Sequence, residues 1–271
     1  MKNKLIFLLF VFIVVFISGC KECKVSSECN SKARELYPGY SASCLDVGCN
    51  VNNKCEIDKI SNCCGNKDCE KSAGENECTC EKDCGKCSGK GEIKIGSKTY
   101  DTEYLEYGCK DNECALIIDD SLIRNIDLTD DKEFSYFKIG ITSSFDQPFN
   151  VDNSKFNVKI QLADKDEDLV LPVTITSLKL VEKELLIGEK ELNEELNYIG
   201  ESFTQSIPVN QNIMQNVEEE KRVSLVIDYT YIIKEKTGSN SEGEPTYEDK
   251  VKRDTYTKSY SSKIFFVNPE K

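Results

Sequence analysis

The sequence predicts a mainly β protein in two parts: small disulfide-rich modules, followed by an antiparallel β-sandwich. Three observations carry this prediction. All fifteen cysteines lie between Cys20 and Cys114. From Phe134 onward the apolar residues recur mostly with a period of two, as in strands with one buried face. No stretch alternates strands with long helices, which argues against a parallel α/β sheet.

The first nineteen residues predict a secretion signal. Lysines at positions 2 and 4 precede an unbroken apolar block, Leu5 to Ile17. As a helix this block would cover about 20 Å, less than the ~30 Å hydrocarbon core of a bilayer. Cleavage is therefore favoured over permanent insertion, and we assign residues 1–19 to a lipoprotein signal peptide.

The stretch Ile17-Ser18-Gly19-Cys20 resembles the lipobox of prokaryotic lipoproteins, in which a small residue precedes a Cys that is lipidated and becomes the mature N-terminus. The resemblance implies that Cys20 carries lipid and anchors an exported protein at the membrane, facing outside the cytoplasm. The alternative is an ordinary signal peptide cut nearby, with Cys20 as a half-cystine. Cysteine parity supports lipidation, because removing Cys20 leaves fourteen cysteines, enough for seven disulfides in an oxidising compartment.

Composition excludes several functions. The chain has no His, which excludes a Ser-His-Asp triad, a Cys-His dyad and His-ligated zinc. The net charge is −13, and residues 93–271 alone carry −13. Such an acidic surface repels phosphate backbones, so we expect no nucleic-acid partner.

Residues 20–91 predict a disulfide-stapled spacer, because they hold too few large apolar residues to build a core. Residues 92–271 predict a β-hairpin and a β-sandwich domain. The candidate half-cystines are Cys23, Cys29, Cys44, Cys49, Cys55, Cys63, Cys64, Cys69, Cys78, Cys80, Cys84, Cys87, Cys109 and Cys114.

The segment Cys63–Cys87 resembles a repeat of secreted prokaryotic proteins that reads roughly Cys-Gly-Asn-Gly-x-Cys-Glu-x-Gly-Glu and ends in Asp-Cys-Gly. The resemblance implies a stapled surface module without catalysis, and Lys67 departs from it where Gly is usual. The residues that match are Cys64-Gly65-Asn66, Cys69-Glu70, Gly74-Glu75 and Asp83-Cys84-Gly85.

Three alternatives compete with plain disulfides and solvated acids in this segment. Cys78, Cys80, Cys84 and Cys87 have the close spacing of a four-thiolate zinc site. Cys84 and Cys87 resemble a thioredoxin dithiol, but without its strand and helix. The third alternative is a calcium loop whose oxygen ligands would be Asn66, Asp68, Glu70, Glu75 and Asp83.

Local patterns then predict individual elements. Gly96-Ser97 separates two short β runs and predicts a hairpin. Cys109 and Cys114 flank a four-residue turn, so we expect them to pair with each other. The only helix predicted in this part is Glu189–Tyr198, and residues 236–246 are expected to be disordered. Pro172 predicts an edge strand or a bulge.

In broad plan the sandwich resembles an immunoglobulin domain, without its Cys-Trp-Cys core, and this implies no particular partner.

The sandwich contains few candidates for chemistry. Asp164, Asp166 and Asp168 resemble the start of an EF-hand calcium loop, but Leu169 stands where Gly is required. The charge run Glu218–Arg222 is expected to be solvated. Strand tyrosines more often belong to a core than to a binding face. Those that would form such a face are Tyr229, Tyr231, Tyr247, Tyr256 and Tyr260.

The sequence therefore predicts a lipid-anchored cell-surface protein that presents a β-sandwich for binding or envelope structure. We expect no catalysis and no cofactor. The expected partners are the membrane, through the lipid, and a protein or glycan ligand. One alternative is an envelope enzyme or redox protein that uses acidic residues such as Asp166 and Glu167, or the thiols Cys84 and Cys87. The other is a calcium-dependent adhesive module.

Overall fold

The computed structural model describes residues 21–270, so the leader and Cys20 lie outside the described residues. Within that range the α-helices are α1 (Asn30–Leu36) and α2 (Glu81–Cys84), and the chain also has short 3-10 helices. The strands are β1 (Leu45–Cys49), β2 (Cys55–Lys59), β3 (Lys90–Ile95), β4 (Lys98–Lys110), β5 (Glu113–Ile118), β6 (Arg124–Glu133), β7 (Phe137–Gln147), β8 (Phe149–Asn150), β9 (Phe156–Lys165), β10 (Leu169–Glu182), β11 (Leu185–Leu196), β12 (Ser202–Ile207), β13 (Glu218–Lys221), β14 (Ser224–Ser239), β15 (Pro245–Ser259) and β16 (Ile264–Val267).

The chain divides into two compact units. Among the described residues, the first contains 21–88 together with 108–115, the tip of the β4–β5 hairpin. The second contains residues 89–107 and 116–270. No helix among residues 21–270 is long and apolar enough to cross a membrane. The predicted fold class is confirmed: the protein is mainly β, with a disulfide-rich first part followed by antiparallel sheets.

Disulfides take the place of a hydrophobic core in the first unit. Between residues 21 and 88 the buried apolar side chains, apart from cysteines, are Ala33 and Leu45. All fourteen candidate half-cystines are paired, which is typical of an extracellular or otherwise oxidising environment. The pairs are Cys23–Cys49, Cys29–Cys55, Cys44–Cys63, Cys64–Cys80, Cys69–Cys84, Cys78–Cys109 and Cys87–Cys114.

The expected local pair Cys109–Cys114 is wrong. Cys109 bonds to Cys78 and Cys114 bonds to Cys87, so both cysteines of the hairpin tip pair with the preceding segment. The Asn76 side-chain amide also donates to the carbonyl oxygen of Asn112 in the hairpin turn, at 2.8 Å. The short separation of Cys109 and Cys114 in the sequence favoured a bond between these two cysteines. The fold instead places Cys78 beside Cys109 and Cys87 beside Cys114, and sequence separation does not predict these neighbours.

Two four-stranded antiparallel sheets build the sandwich of the second unit. Their strand orders are β11-β10-β14-β15 and β12-β9-β7-β6. One continuous core lies between them, with Ile141 and Ile160 from one sheet and Ile175 and Ile227 from the other. The likeness to an immunoglobulin domain stays at this level of two packed antiparallel sheets. A small sheet, β13-β16-β8, and the hairpin sheet β3-β4-β5 complete the unit.

The predicted alternation of buried and exposed side chains is confirmed in strand β9, where the sequence pattern was clearest. In β9 the side chains at 156, 158, 160 and 162 are buried, and those between them are not. The hairpin turn at Gly96-Ser97 is confirmed, with Ile95 opposite Lys98 and a positive φ of 63° at Gly96. Pro172 lies in a strand paired on both sides, and the pairing of β10 with β14 shifts register between Val170 and Thr174. Of the two predictions for Pro172, the structure has the bulge.

The predicted helix Glu189–Tyr198 is wrong, because these residues belong mostly to strand β11. Leu192 and Leu196 are four residues apart, a spacing that puts side chains on one face of a helix and also of a strand. Pairing with β10 decides between the two, and Leu196 lies opposite Val173. The preceding Gly188 packs tightly, since a Cβ there would lie 2.6 Å from the carbonyl oxygen of Pro208.

Residues 236–246, expected to be disordered, instead form the end of the long β14–β15 hairpin. β14 continues to Ser239 and β15 begins at Pro245. The Asn240 side chain closes the turn by accepting hydrogen bonds from the backbone N–H groups of Glu242 and Glu244, at 3.0 and 2.9 Å. Cross-strand pairing and this Asx turn order a segment that lacks apolar residues.

The charge run Glu218–Arg222 is only partly solvated, contrary to expectation. Glu218 and Lys221 are 5% and 8% exposed. Lys221 lies 2.8 Å from Glu219 and 3.3 Å from Glu182. The Glu218 carboxylate accepts the backbone N–H groups of Glu103 and Tyr104, both at 2.9 Å. It therefore joins strand β4 of the hairpin sheet to strand β13.

We expect Glu218→Ala to lower the free energy of unfolding by about 1–3 kcal/mol, because two partly buried N–H groups would lose their charged acceptor. Chemical denaturation of the full chain measures this. The matched control is Glu220→Ala: Glu220 is exposed and forms a surface ion pair with Lys263, so its loss should cost less than about 1 kcal/mol. Equal losses for the two variants would refute a special role for Glu218.

Peptide mapping under non-reducing conditions should recover peptides that link Cys78 to Cys109 and Cys87 to Cys114. Both links join the cysteine-rich segment to the tip of the β4–β5 hairpin. Recovery of a Cys109–Cys114 peptide from the native protein would contradict this connectivity.

Candidate binding surface

Three turns meet at one end of the sandwich, here called the loop end: residues 134–136, 166–168 and 197–201. The backbone N–H of Asp166 donates to the carbonyl oxygen of Tyr136 at 2.7 Å, and that of Gly200 donates to Leu162 at 2.7 Å. The chain enters the sandwich at the opposite end, where Arg124 pairs with Gln147. The loop end is therefore the end of this unit farthest from the start of β6.

Aromatic rings close the core at the loop end. Phe134, in the first turn, packs on Phe137, Tyr229 and Tyr256, with ring centroids 4.8, 5.1 and 5.7 Å away. Tyr231 lies 5.4 Å from Phe137 and 6.1 Å from Tyr136. Tilted and edge-on contacts of this kind are favourable beyond simple burial. These rings form one packed cluster at the loop end, here called the aromatic platform.

Charged groups surround the aromatic platform. The Lys132 ammonium lies 5.6 Å from the ring centroids of both Phe134 and Tyr256, a cation–π geometry. Asp130 accepts hydrogen bonds from the Tyr256 hydroxyl at 3.2 Å and the Lys258 ammonium at 2.8 Å. The hydrogen bond from Lys258 is the main reason that the pKa of Asp130 is lowered.

A shallow groove of about 280 Å³ lies beside these rings, formed by the first turn and the acidic turn after β9. It combines aromatic, hydroxyl, ammonium and carboxylate groups. Its lining residues are Glu133, Phe134, Ser135, Tyr136, Phe137, Lys138, Asp164, Lys165 and Asp166. The fold thus brings together two features that the sequence analysis treated separately, the acidic turn and the strand tyrosines.

Exposed apolar side chains add to the loop end. Tyr198 and Ile199 project from the third turn and are 62% and 51% exposed. On the hairpin that extends from the same end, Tyr247 and Val251 are 54% and 63% exposed. Exposed aromatic and apolar residues grouped at one end of a domain are typical of binding surfaces.

The five tyrosines proposed as one face have different roles. Tyr229 is buried, and Tyr231 and Tyr256 are half-buried in the platform. Tyr260 is buried elsewhere in the core, where its hydroxyl lies 2.5 Å from Ser143 Oγ and burial raises its pKa to about 12. Only Tyr247 of the five is an exposed side chain. The binding face proposed from the sequence is therefore divided between core, platform and hairpin arm.

The acidic turn has side chains occupied by the turn itself. Asp164 accepts from the backbone N–H of Lys165 at 2.9 Å, and Asp166 accepts from that of Asp168 at 3.0 Å. Within residues 21–270, the groups that place three potential metal ligands within 4.8 Å of one another do not include Asp164, Asp166 or Asp168. Asp166 and Glu167, named for an enzyme, are exposed at this turn.

The calcium loop proposed in the cysteine module has a different organisation. Both carboxylate oxygens of Asp83 accept backbone N–H groups, from Gly65 at 2.5 Å, Asn66 at 3.1 Å and Lys67 at 2.8 Å. Glu75 accepts from the N–H of Glu70. A carboxylate surrounded by N–H donors orders the turn at Lys67, whose φ is 68°. That positive φ explains why Gly is usual at this position of the repeat that the segment resembles.

The cysteines proposed for zinc or redox chemistry are all oxidised. Cys84 pairs with Cys69 and Cys87 pairs with Cys114, so the two do not form a dithiol pair with each other. Cys78 and Cys80 are also in disulfides. A zinc site requires thiolates, which these bonded sulfurs do not provide.

One polar cluster was missed by the sequence analysis. Asp228 on β14 accepts hydrogen bonds from Ser177 Oγ at 2.6 Å, Lys179 Nζ at 2.9 Å and Thr255 Oγ1 at 2.6 Å, linking three neighbouring strands. Glu189 on β11 lies 3.5 Å from Lys179. No local motif marks these residues, because only the strand register makes them neighbours.

The charges in this cluster argue for a structural role. Hydrogen bonding to Asp228 raises the pKa of Lys179, so its ammonium stays protonated and is a poor general base. Burial of Asp228 raises its pKa, but hydrogen bonds from Ser177, Thr255 and Lys179 outweigh this effect and lower the pKa to about 2. Ser177 thus faces no effective base, and the cluster stabilises the sheet.

Comparisons of the chain with protein-family models, with curated proteins and with solved structures found no match. The geometry defines a class of site, an exposed aromatic and acidic loop end on a β-sandwich.

The Asp228 cluster predicts a pH-dependent stability difference. The folded pKa of about 2 lies below the ordinary value of 3.8, so the stabilisation is fully present above about pH 4 and is lost as pH falls from about 4 to about 2. A shift of this size corresponds to at most about 2 kcal/mol. Asp228→Asn should therefore reduce stability at pH 7, and its difference from the wild type should shrink below pH 4.

Denaturation measured between pH 2 and pH 7 tests this, with Asp249→Asn as the control. Asp249 is an exposed carboxylate of the adjacent strand β15, without an ion pair or hydrogen bond to other residues between 21 and 270. Its variant should follow the wild type at every pH. A pH-independent loss for Asp228→Asn would show that shape, and not charge, explains the cluster.

Proposed function

We propose that this protein is a lipid-anchored cell-surface protein whose β-sandwich binds a protein or glycan ligand through its loop end. The observation that carries the proposal is the combination of a fully disulfide-bonded first unit with four exposed aromatic and apolar side chains at the loop end of the second unit and on the hairpin that extends from it: Tyr198, Ile199, Tyr247 and Val251. The first feature fits a location outside the cytoplasm. The second fits recognition.

The anchor is supported by the leader and by cysteine parity. Residues 17–20 resemble a lipobox, and the fourteen cysteines that follow Cys20 satisfy one another in seven bonds. Cys20 therefore has no disulfide partner left among the described cysteines. Lipoprotein-type modification supplies more than one acyl chain, which holds a protein stably where a single chain is marginal.

Binding at the loop end is supported by its chemistry. Tyrosine offers an apolar ring and a polar hydroxyl, and this suits both sugar rings and peptide side chains. The groove beside Tyr136 adds the carboxylates of Asp164 and Asp166 and the ammonium groups of Lys138 and Lys165. Such mixed donors and acceptors, rather than a deep apolar cavity, favour a polar ligand held at a surface.

Replacing Cys20 tests the anchor. Wild-type protein should fractionate with membranes, partition into detergent, and have an intact mass that includes acyl chains on Cys20. The Cys20→Ala variant should lose all three properties and keep its seven disulfides, because Cys20 takes part in none of the seven. A mature wild-type protein without acyl mass, or a variant that behaves like the wild type, would refute the anchor.

Protease treatment of intact cells tests presentation. The exposed turn Asn240–Glu244 of the β14–β15 hairpin should be cut on whole cells, whereas a cytoplasmic protein should stay intact until lysis. The matched control is the same digestion of lysed cells, which should give the same first fragment. Protection on whole cells with cleavage after lysis would place the sandwich on an enclosed side of the membrane.

A further inference from the structure

The beginning of the described chain forms a small basic and apolar face, here called the tether face: residues 21–25 and 50–54. It contains Lys21, Lys24 and Lys54, and the single acid in it, Glu22, is paired with Lys32 at 2.6 Å. The chain as a whole carries −13. Two neighbouring acids contact the face, because Glu28 accepts from the Lys24 backbone N–H and Glu56 accepts from the Asn50 side-chain amide. With these acids included, the three lysines and Lys32 outnumber the three acids by one, so the region is weakly positive on an acidic protein.

Val51 is the most exposed apolar side chain of the face, at 97%, and Val25 is 54% exposed. Val51 projects from a well-ordered turn. The Asn50 side chain accepts the backbone N–H groups of Asn52 and Lys54, at 2.9 and 3.0 Å. The backbone N–H of Asn50 donates to Lys54 and that of Asn53 donates to Asn50, both at 2.9 Å. The turn thus holds an apolar side chain fully in solvent.

The turn is fastened to the start of the chain. The backbone N–H groups of Glu22 and Cys23 donate to the carbonyl oxygen of Asn53, at 2.9 and 3.3 Å. Cys23 is also bonded to Cys49, the last residue of β1. In the sequence, Cys20 is only three residues before Cys23, a length of chain that spans at most about 10 Å when fully extended.

We propose that the tether face rests on the anionic lipid surface of the membrane that holds the anchor, with Val51 among the headgroups and the three lysines against phosphates. This inference depends on the proposed lipidation of Cys20. Juxtamembrane lysines are attracted by anionic lipids within a Debye length, and an exposed apolar side chain gains free energy when its surface leaves water. Contact at this face orients the first unit on the bilayer instead of leaving it to rotate about a flexible tether.

A single introduced tryptophan reports this contact, because the chain contains none. Val51→Trp is introduced into the lipidated full chain, which is reconstituted into vesicles of phosphatidylcholine and phosphatidylglycerol with brominated acyl chains. The indole emission of this variant should shift to the blue and be quenched several-fold more than that of the control variant Tyr247→Trp. Position 247 is also exposed, at 54%, but lies in the second unit.

The lysines are tested in the same assay. Replacing Lys21, Lys24 and Lys54 by Gln in the Val51→Trp variant should reduce the quenching on these vesicles and change little on vesicles of phosphatidylcholine alone. Vesicle-bound protein in which the indole at position 51 is quenched no more than the one at position 247 would overturn the tether face and leave the anchor intact. A blue shift without quenching would overturn it too, because protein and not lipid would then cover position 51. Protein that does not float with vesicles would overturn both proposals.

Discussion

Covalent sulfur bonds are the constraint on which the first unit depends. A segment with Ala33 and Leu45 as its buried apolar residues, apart from cysteines, cannot offset the entropy of its chain by burial. Seven disulfides close loops whose ends are 15 to 31 residues apart in sequence. Each bond of this kind typically contributes about 2–4 kcal/mol by restricting the unfolded chain. The unit is therefore an ordered body only where its cysteines are oxidised.

The sandwich follows the opposite principle. It has no cysteine after Cys114, and its stability comes from a core of alternating apolar residues in two sheets. The acids that are buried or half-buried beside this core have hydrogen-bonded carboxylates, as at Asp228 and Glu218. The two units thus reach stability by different means, and both means suit an exported protein. Acidic residues on the sandwich favour solubility.

The loop end and the tether face show how much of a site can be predicted from sequence. The tyrosines of β14 and β15 and the acidic turn were predictable as separate features. Their meeting at one end was not, because it depends on how β9 and β14 are placed in different sheets. The sequence analysis did not identify Val51, because a single valine between asparagines matches no sequence pattern. Its exposure near Cys23 follows only from the hydrogen-bonded turn at Asn50.

The sequence by itself determined the cysteine parity, the absence of histidine, the β class and the Gly96 hairpin, because each depends on composition or on residues close together in the chain. Only the tertiary structure decided that Cys109 pairs with Cys78, that Leu192 and Leu196 belong to a strand, and that Glu218 is buried. These outcomes depend on which distant segments become neighbours. A four-residue spacing fits helix and strand alike, and a cysteine bonds to whichever sulfur the fold brings within reach.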